Sequence, residues 1–141
     1  MNRHILRNIM TSSLPINSVA ITYSRILEND KINIKSLDMQ ERCIKKWLDT
    51  KNIGIFENIK EIDYNNLQNS LKKNLENSSD KTLVVFNANR LSSNITNFND
   101  IYKICEKNRH NIGIVNIDKI FDYRVKQNYN ILIKLILEDN F

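Results

Sequence analysis

The chain has 141 residues, of which 41% are hydrophobic and 26% are charged, so it is long and apolar enough for one globular domain. Its formal net charge of +5 leaves DNA as a candidate partner without establishing one. No apolar run approaches the roughly 20 residues that span a bilayer, and the cysteines, Cys43 and Cys105, lack metal-ligand spacing. These features exclude a membrane protein and a disulfide scaffold. We expect a soluble, intracellular protein with reduced thiols, no metal and no cofactor.

The first part of the chain predicts an extension, a strand and a helix. Residues 1–17 lack clear periodicity, so we expect a flexible N-terminal extension. The short, apolar and β-branched run from Val19 to Tyr23 predicts a buried strand. After a polar loop, Ser36 is a suitable N-cap for a helix whose apolar stripe continues to about Asn52.

The remainder of the chain continues to alternate strands with helices. The predicted elements are a strand at 55–62, a helix near 67–75, a strand at 82–86, a helix at 95–105, a strand at 112–117 and a helix at 125–137. This alternation predicts a three-layer α/β/α fold around a mostly parallel sheet of four to five strands. Residues 18–141 are expected to form one domain, with no DNA-reading module after the last helix.

The two glycines of the chain stand in near-identical surroundings. Gly54 and Gly113 each lie in the sequence Asn-Ile-Gly-Ile, between a predicted helix and a predicted strand. We expect both to cap helix ends, where a positive φ favours glycine. A phosphate-binding role is not expected, because these glycines enter strands rather than open helices.

Chemically capable side chains follow the predicted strands. Functional groups in open α/β sheets gather at the carboxyl ends of the strands. This rule selects one residue after each strand, namely Arg25, Asp63, Arg90 and Asp118. An arginine pair suits phosphate, since the planar guanidinium binds two oxygens at once. Judged by spacing alone, surface salt bridges among the four residues are the more ordinary interpretation.

Three short motifs add a specific resemblance. Residues 23–26 read Tyr-Ser-Arg-Ile, 36–40 read Ser-Leu-Asp-Met-Gln, and 89–93 read Asn-Arg-Leu-Ser-Ser after an apolar strand. They resemble the resolvase/invertase serine recombinase catalytic domain. That family opens with Tyr-x-Arg-(Val or Ile)-Ser, continues with Ser-Leu-x-x-Gln at a helix start, and later carries Asp-Arg-(Leu or Phe)-(Ser or Gly)-Arg. The similarity runs from about residue 19 to 118, with strands and helices in the same order.

The resemblance implies a function and a set of site residues. In that family a serine hydroxyl attacks a DNA phosphodiester to form a phosphoserine link, and clustered arginines stabilise the developing charge. The catalytic positions that this chain retains are Arg25, Gln40, Asp63 and Arg90. Of these, Arg25 and Arg90 are the predicted DNA phosphate-binding residues. Family members pair through a long C-terminal helix, of which this chain is expected to keep a truncated part that still offers a homodimer contact.

Departures from the family motifs argue against DNA cleavage. Leu27 occupies the nucleophile position, and an isobutyl group cannot attack phosphorus. Asn89 replaces the aspartate of the later motif, and Ser93 replaces its second arginine. Ser24 is a poor substitute nucleophile, since strand alternation directs it away from the face of Arg25. We therefore expect an inactive site.

Two hypotheses follow from these observations. The first is a serine-recombinase family domain, associated with DNA strand exchange, that has lost cleavage and keeps weak DNA-backbone contacts. The second is a noncatalytic α/β interaction or regulatory module, or a relic of a mobile element. A phosphoacceptor receiver domain also fits the alternation of elements, but the acidic pair expected after its first strand is absent from residues 23–25.

Overall fold

The computed structural model describes residues 19–27, 35–63 and 67–139. Its elements are β1 (Val19–Leu27), α1 (Lys35–Lys51), β2 (Gly54–Asp63), α2 (Asn69–Glu76), β3 (Thr82–Val85), α3 (Ala88–Leu91), α4 (Ile95–Asn108), β4 (Asn111–Ile114), a 3-10 helix (Val115–Ile117), β5 (Lys119–Phe121) and α5 (Gln127–Asp139). The extension predicted at residues 1–17 lies outside this part of the chain.

The strands form one five-stranded sheet in the order β2-β1-β3-β4-β5. Neighbouring strands are parallel except for β5, which runs antiparallel to β4. The predicted mostly parallel α/β fold is therefore confirmed. Two short elements, α3 and β5, were not predicted separately, because three or four residues are too few to show a periodicity.

Helices cover both faces of the sheet and divide the core in two. The smaller cluster, on the α1 face, includes Ala20 of β1 and Trp47 of α1. The larger cluster joins the other face of the sheet to α2, α4 and α5, and it includes Ile21 and Tyr23 of the same strand. Successive residues of β1 thus enter opposite clusters, as the alternation of side chains along a strand requires.

The prediction that glycines cap the helices is wrong. The left-handed positions after α1 and α4 are taken by Asn52, with φ of 61°, and by Arg109, with φ of 60°, whereas neither glycine has a positive φ. Gly113 is needed for a different reason, because a Cβ there would lie 3.1 Å from Cη2 of the Trp47 ring. A Cβ on Gly54 would meet nothing within 4 Å. Close packing therefore requires a glycine at position 113 but not at position 54.

Ser36, the predicted N-cap, lies inside α1. The first turn of α1 begins at Lys35, so Ser36 lies within the helix rather than before it, and its hydroxyl accepts a hydrogen bond from Gln40 Nε2 at 3.1 Å. Cys43 and Cys105 are both free thiols, but only Cys105 is buried, and the expectation that both would be buried is wrong for the half-buried Cys43. Across the described ranges, no helix has the length and apolar character needed to cross a membrane.

Candidate functional site

Arg25 is the centre of a buried polar network at the carboxyl end of the sheet. Its side chain is 1% exposed, and Nη1 donates to Asp63 Oδ2 at 3.2 Å. Nη2 donates to the carbonyl of Asn89 at 2.6 Å, and Nε donates to the carbonyl of Arg90 at 3.1 Å. Because both carbonyls belong to α3, one guanidinium connects β1 to the end of β2 and to the helix that follows β3.

Gln40 holds the peptide groups of Arg25 from the opposite side. Its Oε1 accepts from the Arg25 backbone N–H at 3.1 Å, and its Nε2 donates to the Arg25 carbonyl at 3.0 Å. Arg90 Nη1 donates to the same carbonyl at 3.1 Å. A buried glutamine on α1 thus bonds both main-chain groups of one residue, as a neighbouring strand would. This fixes Arg25 from its backbone as well as from its side chain.

The second oxygen of Asp63 extends the network towards α2 and α4. Asp63 Oδ1 accepts from the Gln68 backbone N–H at 2.9 Å. The Gln68 side chain donates from Nε2 to the Leu91 carbonyl at 2.8 Å and accepts from Asn97 Nδ2 at 2.6 Å. We call the following residues the Arg25 network: Arg25, Gln40, Asp63, Gln68, Arg90 and Asn97. Sequence reasoning missed Gln68 and Asn97, although a polar residue four positions before Ile101 on an apolar helix face was a usable signal for Asn97.

Tyr23 borders the network on the same face of β1. Its hydroxyl donates to Glu61 Oε1 at 2.7 Å and is 3.4 Å from Gln68 Nε2. Burial, together with Glu61, raises the pKa of the Tyr23 phenol far above its ordinary value, so the hydroxyl stays protonated. Burial also lowers the pKa of the Arg25 guanidinium, against the opposing effects of Tyr23 and Asp63. An arginine remains charged under any such shift, because its ordinary pKa exceeds 12.

The structure brings together Arg25, Gln40, Asp63 and Arg90, and it places Asp118 elsewhere. Asp118 accepts from Trp47 Nε1 at 2.8 Å and pairs with Lys51 Nζ at 2.8 Å, both on α1. The ordinary alternative of surface salt bridges does not describe the Arg25–Asp63 pair, whose side chains are 1% and 2% exposed. The catalytic and phosphate-binding roles of the four residues stay predictions.

Leu27 ends β1, where its backbone is in register with Asp63 of β2. Its side chain lies outside the described part of the structure. Ser24 is buried, and its Oγ has no hydrogen-bond partner among the described residues. It belongs to the side-chain series of Ala20, which packs on the α1 face, so it faces away from Arg25. Ser92 is also buried, and its hydroxyl donates to the carbonyl of Asn94 at 3.0 Å.

Two solved structures share this architecture. The N-terminal catalytic domain of TP901-1 integrase aligns with 87% of this chain and 95% of its own, at 17% sequence identity and a TM-score of 0.63. A resolvase family site-specific recombinase from Streptococcus pneumoniae aligns with 86% of this chain and 87% of its own, at 15% identity and a TM-score of 0.65. No protein-family model and no curated protein matches the sequence. The chain therefore has a resolvase-like α/β fold, as its motifs predicted.

The carboxyl end of the sheet offers no metal site within the ranges that the structure describes. No group of three or more His, Cys, Asp or Glu side chains is arranged there, or elsewhere in those ranges, to hold a metal ion. The chemistry of the network is that of one buried ion pair, several amides and a second guanidinium. Such a set can position an anion but contains no activated nucleophile.

Proposed function

We propose that this chain is a serine-recombinase-like domain that does not cleave DNA and that contacts the DNA phosphate backbone through Arg90. One observation carries the proposal: the guanidinium of Arg25 is enclosed, and its contacts include Asp63 and the two carbonyls of α3. Arg25 thereby positions α3, the helix that carries Arg90. Arg90 is itself partly exposed and lies at the rim of the network. We assign direct phosphate contact to Arg90 and a positioning role to Arg25.

The loss of DNA cleavage is supported by the absence of a suitable nucleophile among the described residues near Arg25 and Arg90. The nucleophile position holds Leu27, which has no hydroxyl. Ser24 is on the α1 face, and the Ser92 hydroxyl is buried in a turn before α4. Losing a nucleophile costs several orders of magnitude in rate, so geometry elsewhere in the site cannot compensate.

A covalent-adduct assay tests the loss of cleavage. We expect no protein–DNA adduct when the full chain is incubated with supercoiled DNA or with a nicked duplex and then denatured. An active recombinase treated identically provides the positive control. An adduct that peptide mapping assigns to any serine of this chain would contradict the proposal.

A salt titration of DNA affinity tests the phosphate contact. Each phosphate contact contributes about one unit to the slope of log affinity against log salt concentration, so we expect Arg90→Ala to lower that slope by about 1. Arg124→Ala is the matched control, because it removes the same charge from an exposed arginine that pairs with Asp122. Equal slopes for both variants would mean that net charge alone drives binding and would refute the site.

A second candidate function is self-association through α5. Ile131 and Leu137 on this helix are each 45% exposed, although Leu132 and Ile136 of the same helix are buried in the larger core cluster. Exposed apolar side chains on a docked helix favour a protein partner, and a second copy is the homodimer proposed from the sequence. Sedimentation equilibrium of wild type and Ile131→Lys decides it: a dimer that the substitution dissociates supports this function, and a wild-type monomer refutes it.

A further inference from the structure

A cleft between α4 and α5 shares no lining residue with the Arg25 network. Its volume is about 400 Å³, and its walls are formed by Asn99, Tyr102, Lys103, Glu106, Lys126 and Tyr129. Ligand pockets in proteins commonly measure about 300 to 1,000 Å³. The cleft therefore has room for a small organic molecule.

Two aromatic residues, Tyr102 and Tyr129, line the cleft, and the buried ring of Phe98 packs against both of them. The Tyr129 ring stacks on Phe98 with centroids 5.7 Å apart and meets Tyr102 edge-on at 5.1 Å. Phe98 and Tyr102 are in turn 5.6 Å apart. The Tyr129 hydroxyl also donates to Asn99 Oδ1, which ties α5 to α4. Rings held by one another in this way form a firm apolar surface for a flat molecule.

Three polar side chains of the cleft, those of Lys103, Lys126 and Tyr102, lack an ion pair or side-chain hydrogen bond within the described part of the chain. Lys103 and Lys126 approach the cleft from α4 and from the residue before α5, and neither has an ion pair there. Tyr102 is 5% exposed, and its buried hydroxyl makes no hydrogen bond to any described residue. An unsatisfied buried polar group is costly, and none of the described residues bonds this hydroxyl.

We infer that this cleft binds a nucleoside monophosphate, either free or as the terminal unit of a single strand. Lys103 and Lys126 supply two ammonium groups for the phosphate dianion, and the aromatic wall supplies a surface for the base. Glu106 supplies an acceptor for an exocyclic amine. Inorganic phosphate would leave the aromatic wall unused, and an uncharged ring would leave both lysines unused. The inference does not depend on the proposed function.

Calorimetric titration of the full chain with adenosine monophosphate tests this inference. We expect saturable binding with one site per chain, weakened about fivefold by Lys103→Ala and by Lys126→Ala, as for a partly exposed ion pair. Lys107→Ala on α4 and Lys134→Ala on α5 are matched controls, because both lysines are exposed and neither lines the cleft. Absence of saturation at millimolar nucleotide, or equal losses in the controls, would overturn the site.

Three further comparisons test which parts of the cleft bind the nucleotide and whether its source is a free nucleotide or a nucleic acid. Inorganic phosphate that binds as tightly as the nucleotide would overturn the role of the aromatic wall. Tyr102→Phe is expected to weaken nucleotide binding without lowering the free energy of unfolding. Unchanged affinity would mean that the hydroxyl does not contact the nucleotide. Arg90→Ala is expected to leave nucleotide affinity unchanged, which keeps this test distinct from that of the DNA-contact proposal. A single-stranded oligonucleotide of about eight nucleotides is compared with the monophosphate. If it binds more tightly to the wild type and loses that advantage in Lys103→Ala, the natural ligand is the terminal nucleotide of a nucleic acid.

Discussion

The two ends of the sheet bury polar groups in opposite ways. At the carboxyl end, Arg25 and Asp63 form an ion pair at 3.2 Å with both side chains almost fully enclosed. At the amino end, His110 precedes β4 and bridges the main chain of Lys81, before β3, to that of Leu75 in α2. Its Nδ1 accepts from the Lys81 N–H at 3.2 Å, and its Nε2 is 2.9 Å from the carbonyl of Leu75. Burial lowers the pKa of His110, so this bridge is uncharged.

The buried ion pair and the neutral His110 bridge differ in their free-energy cost to the folded state. Removing an ion from water costs several kcal/mol, which an ion pair only partly recovers, whereas a neutral imidazole with both nitrogens bonded costs little. Stability alone therefore favours the kind of contact found at the amino end. The charged network instead lies where α/β sheets place functional groups. We infer that its role is to position α3 and Arg90 rather than to stabilise the fold.

The amino end is otherwise stabilised by helix-end contacts. Asn108 Nδ2 donates to the carbonyls of Leu75, Glu76 and Ser78 at 2.9, 3.1 and 3.0 Å, which satisfies acceptors left open at the end of α2. Arg109 pairs with Asp80 through Nε at 2.8 Å. These contacts join the end of α4 to the end of α2 and to the segment before β3, and the one charged pair among them is exposed.

The largest expected effect comes from breaking the buried ion pair. Asp63→Ala leaves Arg25 enclosed without its carboxylate, and we expect a loss of about 3 to 5 kcal/mol in the free energy of unfolding. Urea denaturation followed by circular dichroism measures it. Asp118→Ala is the control, because it removes an aspartate whose side chain is 68% exposed, and we expect a much smaller loss. Similar losses for the two variants would contradict the difference between the buried and exposed sites.

A double-mutant cycle sharpens the same point. Replacing Arg25 by Met and Asp63 by Leu together removes both charges, so we expect a smaller loss than the sum of the two single variants. Additive losses would mean that the pair is not coupled, and the positioning role proposed for Arg25 would lose its energetic basis.

Much of the order of strands and helices was predictable from the sequence, because it depends on local periodicity. The apolar runs at β1 and β3 located the strands, and the rule for strand ends brought Arg25 and Arg90 to one rim. Gln68 and Asn97 could not be assigned in the same way. They bond each other across 29 positions of sequence, and their burial depends on how α2 and α4 pack together. Asp118 was misplaced because the 3-10 helix after β4 turns the chain towards α1.

The cap prediction for glycine failed for a physical reason. A helix C-terminus needs a left-handed residue, which glycine adopts most easily, but asparagine and even arginine can adopt it when bonding supports the turn. At Arg109 the backbone N–H bonds to the Glu106 carbonyl at 3.4 Å, and its side chain is held by Asp80. Such support comes from tertiary contacts, which composition does not reveal.

A smaller effect is expected from deleting the hydroxyl of Tyr23 or of Tyr102, which are both buried. Tyr23→Phe removes the bond to Glu61 and the contact with Gln68 at the edge of the charged network, so we expect a loss of about 1 to 3 kcal/mol in unfolding free energy. Tyr102→Phe removes a hydroxyl without a partner among the described residues, so no described hydrogen bond is broken and we expect no loss of unfolding free energy. Equal losses in thermal or urea unfolding would show that the carboxyl-end hydrogen bonds contribute nothing specific.

The smallest expected effect is a pH dependence that only the amino end should show. The folded pKa of His110 is lowered by burial, which outweighs the opposing effect of its backbone hydrogen bonds to Leu75 and Lys81. The unfolded chain therefore binds a proton first, at a pH near 6.5 for an ordinary histidine. Its stabilising contribution is complete above that pH and declines as the pH falls, by at most about 1.4 kcal/mol per pH unit.

Unfolding curves between pH 8 and pH 5 measure this decline and assign it. The carboxylates whose pKa is lowered, such as Asp80 and Asp118, lose their contribution only below about pH 4, and Arg25 does not titrate. We expect His110→Gln to remove the decline and His4→Gln to preserve it, since His4 is the other histidine of the chain. If the free energy of unfolding still declines with falling pH in His110→Gln, another group is responsible for the acid sensitivity. The proposed contrast between the two ends of the sheet would then be wrong.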